Sequence, residues 1–258
     1  MTPSPPLPKP FLRLPLAHRG LHDRASGVIE NSRAAFQAAI AVGYGIELDV
    51  QRSGDGEAMV FHDAEMPRLT DRPGLVHDYD AATLATIPLL GAANGETIPT
   101  LAEILALVGG RVPLLVEVKD QDGALGPDVG PLEARVAALL AGYGGPVAVM
   151  SFNPHSVAAF GRGLPSCPRG LTSCDYDDPD LSVPDYRRAE LVANLANLGM
   201  SGMAFVSHDR RDLASPLVAN LKGQGLPVLT WTVRSPEQEA EARRVADNVT
   251  FEGYLAAL

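Results

Sequence analysis

The chain has 258 residues, of which 46% are hydrophobic and 20% charged, and a formal net charge of -10. That length suits one large α/β barrel or two small domains, and the apolar fraction is enough for a sizeable core. No clustered Lys and Arg run offsets the acidic balance, which argues against extended nucleic acid binding, and no stretch approaches the roughly 20 apolar residues of a spanning helix.

Met1 to Pro10 is Pro-rich and lacks the apolar run and small-residue cleavage site of a secretory signal, so export is not expected. A first strand is expected over Leu14–His18. Asn31 or Ser32 caps a helix whose apolar stripe includes Phe36, Ala39 and Ile40. The second strand covers Gly45–Val50 and the third Ala58–Phe61. Between them, Arg52-Ser53-Gly54-Asp55-Gly56 is a turn too short for a crossover helix, so these two strands are expected to form a hairpin.

A helix starting near Pro99 carries Leu101, Ile104, Leu105 and Val108, and a strand follows over Val112–Lys119. A helix over Leu132–Ala141 then leads into strands at Pro146–Phe152 and Arg169–Ser173. Cys167 and Cys174 are too few for a disulfide framework and match no common zinc spacing, so they read as buried thiols in a cytoplasmic protein. Asp175–Asp185 is acidic and Pro-rich, a surface loop, and Arg187–Leu198 is helical. Strands at Gly202–Ser207 and Pro227–Val233 come next. Ser235, with Pro236 at the first helical position and Gln238 three residues on, reads as a capping box. A strand over Asn248–Phe251 closes the series. Apolar strands alternating with helices predict an α/β fold with a mostly parallel sheet, and no boundary or repeat divides residues 1–258.

In such barrels the chemistry sits where strands end. His18, Arg19 and Gly20 close the first strand, and His62 and Asp63 close the third. Glu47 and Asp49 lie two apart in the second strand and Glu117 and Lys119 two apart in the fourth, so each pair shares a face. Trp231 sits near the end of a late strand. Taken singly, each has a structural explanation: a satisfied strand-end histidine, a carboxylate paired with arginine, a core tryptophan. Together they do not. Three carboxylates inside apolar strands cost several kcal/mol to bury unless paired or metal-bound. Converging in one barrel, they call for a cation among them. Oxygen-only ligands favour Mg²⁺ or Ca²⁺ over zinc. Arg19 and Lys119 beside them suit a phosphate, and two histidines supply the acid and base that P–O cleavage needs.

These residues resemble a known family. His18-Arg19-Gly20, Glu30-Asn31-Ser32, Glu47-Leu48-Asp49-Val50, Val60-Phe61-His62-Asp63 and Glu117-Val118-Lys119 follow the order and spacing of glycerophosphodiester phosphodiesterases. Arg68-Leu69-Thr70, Ile98-Pro99-Thr100-Leu101, Ser151-Phe152 and Trp231-Thr232-Val233 match weaker signatures. The resemblance implies a distorted TIM-type (β/α)8 barrel with a small insertion over about residues 64–98 near its mouth. It implies one divalent cation held by Glu47, Asp49 and Glu117, acid–base catalysis by His18 and His62, and phosphate contacts from Arg19 and Lys119. It also implies that Trp231 lines a glycerol pocket, and that the products are an alcohol and sn-glycerol 3-phosphate.

Two positions depart from the family pattern. Arg234 stands where Asn is usual, and Thr250-Phe251-Glu252-Gly253 replaces a Thr-Asp segment followed by Pro. Arg234 is therefore expected to favour a more acidic substrate. His22 is an extra histidine beyond the first strand, either touching substrate or solvated. The expected partner is a small phosphodiester, with no nucleic acid and no stable membrane anchor; the oligomeric state is left open. The nucleophile is either water or the substrate's own glycerol hydroxyl. Rival readings are a phospholipase-type enzyme acting on lysophospholipids, a Mg²⁺-dependent aldolase or lyase barrel, and a non-catalytic barrel that binds a phosphorylated ligand.

Overall fold

Side chains alternate between two environments along the central strands of this computed structural model, which describes residues 3–175, Leu191 and residues 202–258. On β2 (Gly45–Arg52), Ile46, Leu48 and Val50 face outward and join an apolar layer with Phe36 and Ala39 of α1 (Arg33–Val42) and Ile104 and Val108 of α3 (Leu101–Val108). The intervening Glu47 and Asp49 turn to the interior, so one strand separates the packing face from the chemical one.

The remaining strands are β1 (Leu16–Ala17), β3 (Ala58–Val60), β4 (Leu114–Val118), β5 (Val147–Ser151), β6 (Arg169–Ser173), β7 (Phe205–Asp209), β8 (Val228–Val233) and β9 (Asn248–Phe251). Among the described residues β1, β2, β4, β5, β6, β7, β8 and β9 form a closed ring of parallel neighbours, with β1 pairing both β2 and β9. This is the expected (β/α)8 barrel. β3 lies outside the ring and pairs antiparallel with the end of β2, Val50 opposite Val60 and Arg52 opposite Ala58, so the expected hairpin is present. Among the described residues the other α-helices with given bounds are α2 (Ala81–Leu84), α4 (Pro131–Leu140), α5 (Pro154–Gly163), α6 (Pro216–Gly223) and α7 (Pro236–Ala242).

The inside of the ring is filled from its N-terminal end. Leu7 and Phe11, which precede β1, pack with Leu16, Leu115, Ala148, Phe205 and Leu229 to make an apolar floor. Gly170 makes room for the Phe205 ring, since a Cβ there would lie 2.4 Å from it. Above the floor the interior turns polar: Leu115 sits beside Glu47 in register, and Glu117 beside Asp49. Between β3 and α3, Met66, Leu69, Val76, Leu84, Ile87, Leu89 and Ile98 gather with Ile29, Met59 and Phe61 into a separate apolar cluster. That cluster gives the segment over residues 64–98 an apolar core of its own.

Several sequence boundaries shift. The first strand shrinks from Leu14–His18 to Leu16–Ala17, and the sixth strand of the ring moves from Gly202–Ser207 to Phe205–Asp209. His18, His62 and Lys119 lie just past their strands, yet their neighbouring backbone continues the ladders: His18 N–H donates to Phe251 O (2.9 Å), Phe61 N–H to Asp49 O (3.1 Å) and Lys119 N–H to Val50 O (3.1 Å). Ser32, not Asn31, caps α1 by accepting from Ala35 N–H. Ser235 does cap α7, but the expected capping box is only half made, because the Gln238 side chain accepts from Arg234 N–H instead of the cap residue. The expected loop over 175–185 and helix over 187–198 fall outside the described residues, except Asp175 and a buried, helical Leu191. Cys167 and Cys174 are buried thiols, and burial pushes that of Cys167 up to about 12. Among the described residues no helix is long and apolar enough to cross a membrane.

Candidate active site

Eight residues singled out from the sequence meet at the C-terminal end of the ring. A cavity of about 180 Å³ is lined by His18, Arg19, Glu47, Asp49, His62, Glu117, Lys119 and Trp231, together with Arg234 and Thr250. Glu47, Asp49 and Glu117 are all buried, and one carboxylate oxygen from each lies within 4.8 Å of the others.

The chain reaches this site through a strained turn. Arg19 has φ of 55° and Gly20 of 82°, both in the left-handed region. A Cβ on Gly20 would also lie 2.9 Å from Ala35, so only glycine fits. The turn aims Arg19 N–H at Glu47 Oε2 (3.1 Å) and brings its guanidinium to Glu30 Oε1 (2.7 Å) and Asp49 Oδ2 (3.4 Å). Lys119 Nζ bridges Asp49 Oδ1 (2.7 Å) and Glu117. Asn31, also at positive φ, donates through Nδ2 to Asp49 Oδ2 (2.9 Å).

The charges do not balance. Burial drives the Glu47 carboxyl well above its usual range, reinforced by Asp49 and Glu117. Burial also opposes the charge of Asp49, but Lys119, His62 and Arg19 overcome it and hold that carboxyl far below its normal value. Lys119 keeps its proton despite burial because Asp49 and Glu117 face it. Counted as ionised, three carboxylates against two cations are one positive charge short, a deficit that the raised Glu47 carboxyl makes up by holding a proton. An all-oxygen donor set with that deficit fits a hard divalent cation, so this buried triad could hold one metal ion.

Both histidines are held at Nδ1 by a carboxylate. His62 Nδ1 lies 2.6 Å from Asp63 Oδ1, and its backbone carbonyl accepts from Gln51 Nε2 (3.0 Å). Asp63 is in turn bonded to Arg68, which forks onto Glu30 through NH1 to Oε2 (2.9 Å) and NH2 to Oε1 (2.7 Å). Glu30 thus joins Arg19 to Arg68; burial works against its charge, but the two guanidinium groups hold its carboxyl down to about 2. His18 Nδ1 lies 2.5 Å from Glu252 Oε2, and Arg234 Nε donates to Glu252 Oε1 (2.8 Å). Desolvation lowers the His18 pKa, with Arg19 adding to it and Glu252 opposing.

Trp231 enters the cavity through an irregularity. Thr230 pairs with Val249 but Val233 with Phe251, so β8 carries an extra residue, and Trp231 and Thr232 both line the cavity. The indole Nε1 donates to Ser207 O (3.1 Å), and the ring meets Phe152 edge-on at 5.5 Å between centroids. His22 does not line the cavity; its Nε2 is 3.7 Å from Glu252. Arg234 does line it, with its Nε engaged by Glu252.

Sequence reasoning gave no role in the site to Asn31, Glu30, Asp63, Arg68 or Glu252. The first four lie within the family motifs, so order alone flagged them. Glu252 stood out only as a departure, and its contact with His18 spans 234 positions.

A profile of the glycerophosphoryl diester phosphodiesterase family matches residues 18–249. A glycerophosphodiester phosphodiesterase of Caldanaerobacter subterraneus subsp. tengcongensis is 35% identical over 249 residues, covering 92% of each chain. A Bacillus subtilis protein described as a putative glycerophosphodiester phosphodiesterase is 29% identical over 88% of each chain. Among solved structures, an Oleispira antarctica phosphodiesterase in complex with the product sn-glycerol-3-phosphate superposes with a TM-score of 0.72 at 24% identity, covering 94% of this chain and 93% of that one.

Proposed function

This chain belongs to the glycerophosphoryl diester phosphodiesterase family, and from that premise we propose that it hydrolyses glycerophosphodiesters to an alcohol and sn-glycerol 3-phosphate, with one bound divalent cation. The observation that carries this reading is a single cavity holding a buried acidic triad, two cations and two histidines with carboxylates at Nδ1.

Glu47, Asp49 and Glu117 would hold Mg²⁺ or Ca²⁺, which supplies positive charge to the phosphoryl oxygens when bound. Arg19 and Lys119 bind the same phosphodiester and neutralise it. Arg19 is kept in place by Glu30 and by the left-handed turn, so its orientation is set before substrate arrives. An ionised carboxylate only accepts, so Asp63 fixes the Nδ1 proton of His62 and leaves Nε2 for the reaction. One Nε2 takes the proton of the nucleophile, and the other, protonated, delivers a proton to the departing alcohol. Trp231 and Phe152 offer an apolar wall against the glycerol carbons. The segment over residues 64–98 completes one barrel domain and shapes access to the site. The buried thiols support a reducing, cytoplasmic location.

The test is release of glycerol 3-phosphate from glycerophosphocholine by the purified protein, treated with EDTA and then given Mg²⁺ or Ca²⁺. Release that EDTA abolishes and either metal restores is expected. His18→Ala and His62→Ala should each lower kcat by at least about 10²-fold. No release from this substrate, from a panel of other glycerophosphodiesters or from lysophospholipids overturns the reading in favour of a binding barrel.

A further inference from the structure

We propose that Glu252, clamped by Arg234, is the positioning residue that fixes the ring orientation and tautomer of His18. The inference rests on the reading of His18 as an acid–base residue, and it assigns to the C-terminal segment a function in the site. Four observations carry it.

Glu252 follows β9 directly, and its backbone N–H donates to Val233 O (3.0 Å), which anchors it between the last two strands of the ring. Its Oε2 lies 2.5 Å from His18 Nδ1 and its Oε1 2.8 Å from Arg234 Nε, so the two oxygens are divided between two partners. The His18 side chain is 13% exposed and that of Glu252 19%, so water competes weakly for their bond. Arg234 is itself set at the start of α7, where its N–H donates to Gln238 Oε1 (2.8 Å). The half-made capping box therefore has a consequence: Gln238 serves the backbone of Arg234, and Arg234 serves Glu252.

The chemistry follows from the donor inventory. Three positively charged or titratable side chains, His18, His22 and Arg234, surround one carboxylate, and burial is outweighed by their bonds, so Glu252 stays ionised far below the usual range. An ionised carboxylate cannot donate, so His18 must place a proton on Nδ1. In the neutral ring the free lone pair is then on Nε2, in a side chain that lines the cavity. His62 receives the same treatment from Asp63, held by Arg68. Each histidine thus has a carboxylate behind it and an arginine behind the carboxylate. The two relays are built from unrelated segments: Asp63 is adjacent in sequence to its histidine, whereas Glu252 comes from the far end of the chain. Nδ1 hydrogen bonds of this kind set which ring nitrogen reacts, and their loss lowers activity without removing the reactive group.

The test is nitrogen-15 NMR of the imidazole rings in metal-free protein, paired with kinetics of the metal-loaded enzyme. Wild-type His18 is expected to show a single Nδ1–H tautomer, assigned by its loss in His18→Ala. In Glu252→Ala the ring should redistribute between tautomers, and kcat should fall about 10- to 100-fold with KM within about threefold, the range for losing a partner behind a working ligand. Arg234→Ala should give a smaller fall in kcat, under about tenfold, because the carboxylate still reaches His18. Glu252→Asp should recover part of the activity lost in Glu252→Ala, which a purely structural role in the last loop does not predict. A wild-type His18 protonated at Nε2, or a folded Glu252→Ala with kcat within twofold of wild type, overturns the proposal. Should Glu252→Ala fail to fold, the wild-type tautomer and Arg234→Ala decide it. Unchanged kcat in His18→Ala would instead refute the assignment of His18 while leaving the tautomer measurement to report on Glu252.

Discussion

Replacing Glu30 with Gln should destabilise the protein at neutral pH by an amount that disappears in acid. Glu30 is 14% exposed and sits between Arg19 and Arg68, which hold its carboxyl down from 4.5 to about 2. A fall of about 2.5 in pKa corresponds to at most about 3.5 kcal/mol, at about 1.4 kcal/mol for each. Arg68 is 41% exposed, so solvent screens part of that attraction and about 1–2 kcal/mol is the expected contribution. The sign follows from the depressed value. The stabilisation is fully present above about pH 4.5, where the unfolded chain is also ionised, and is lost as pH falls toward 2. Urea unfolding at pH 7, 5, 4 and 3 should therefore show Glu30→Gln below wild type at pH 7, with most of the gap closed by pH 3. A gap of the same size at every pH would refute the electrostatic reasoning and leave packing or hydrogen-bond geometry as the cause. The absence of any gap would mean that Arg19 and Arg68 find equal partners elsewhere.

Other consequences are as direct. Mg²⁺ or Ca²⁺ at about 100 times its dissociation constant should stabilise the fold by about 2.7 kcal/mol, a rise in melting temperature of about 5–10 °C that EDTA reverses and Asp49→Asn abolishes. A melting curve indifferent to both metals would sink the triad as a cation site. Gly170→Ala should cost about 1–3 kcal/mol in chemical denaturation, because the added methyl meets the Phe205 ring inside the floor. An unchanged denaturation midpoint would show that Phe205 moves aside freely.

The alternation of carboxylates in β2 and β4 is legible in the residue order, because a strand places every second side chain on one face. Spacing alone puts Glu47 with Asp49 and Glu117 with Lys119, and it marks Arg52 to Gly56 as a hairpin turn. The ordered motifs around His18, His62 and Trp231 point to one family and so to one barrel. Strand ends are less legible. Leu14 and Pro15 read as strand, yet the chain there closes the floor, and Asn248 Nδ2 donates to Phe11 O and Leu14 O (both 2.7 Å).

Local pattern cannot say which side chains meet across the ring. That β1 is flanked by both β2 and β9 is what brings residue 252 to residue 18, and no periodicity of either segment carries that information. Residue identity and a repeat of two are enough to fix which chemical groups this protein possesses and which face of its strands they occupy. Only the closure of the barrel decided that Glu252 and Arg234 stand behind His18, and that Glu30 and Arg68 link Arg19 to His62. Hydrogen bonds and ion pairs depend on distances of about 3 Å, and such distances between remote residues exist only once the chain is folded.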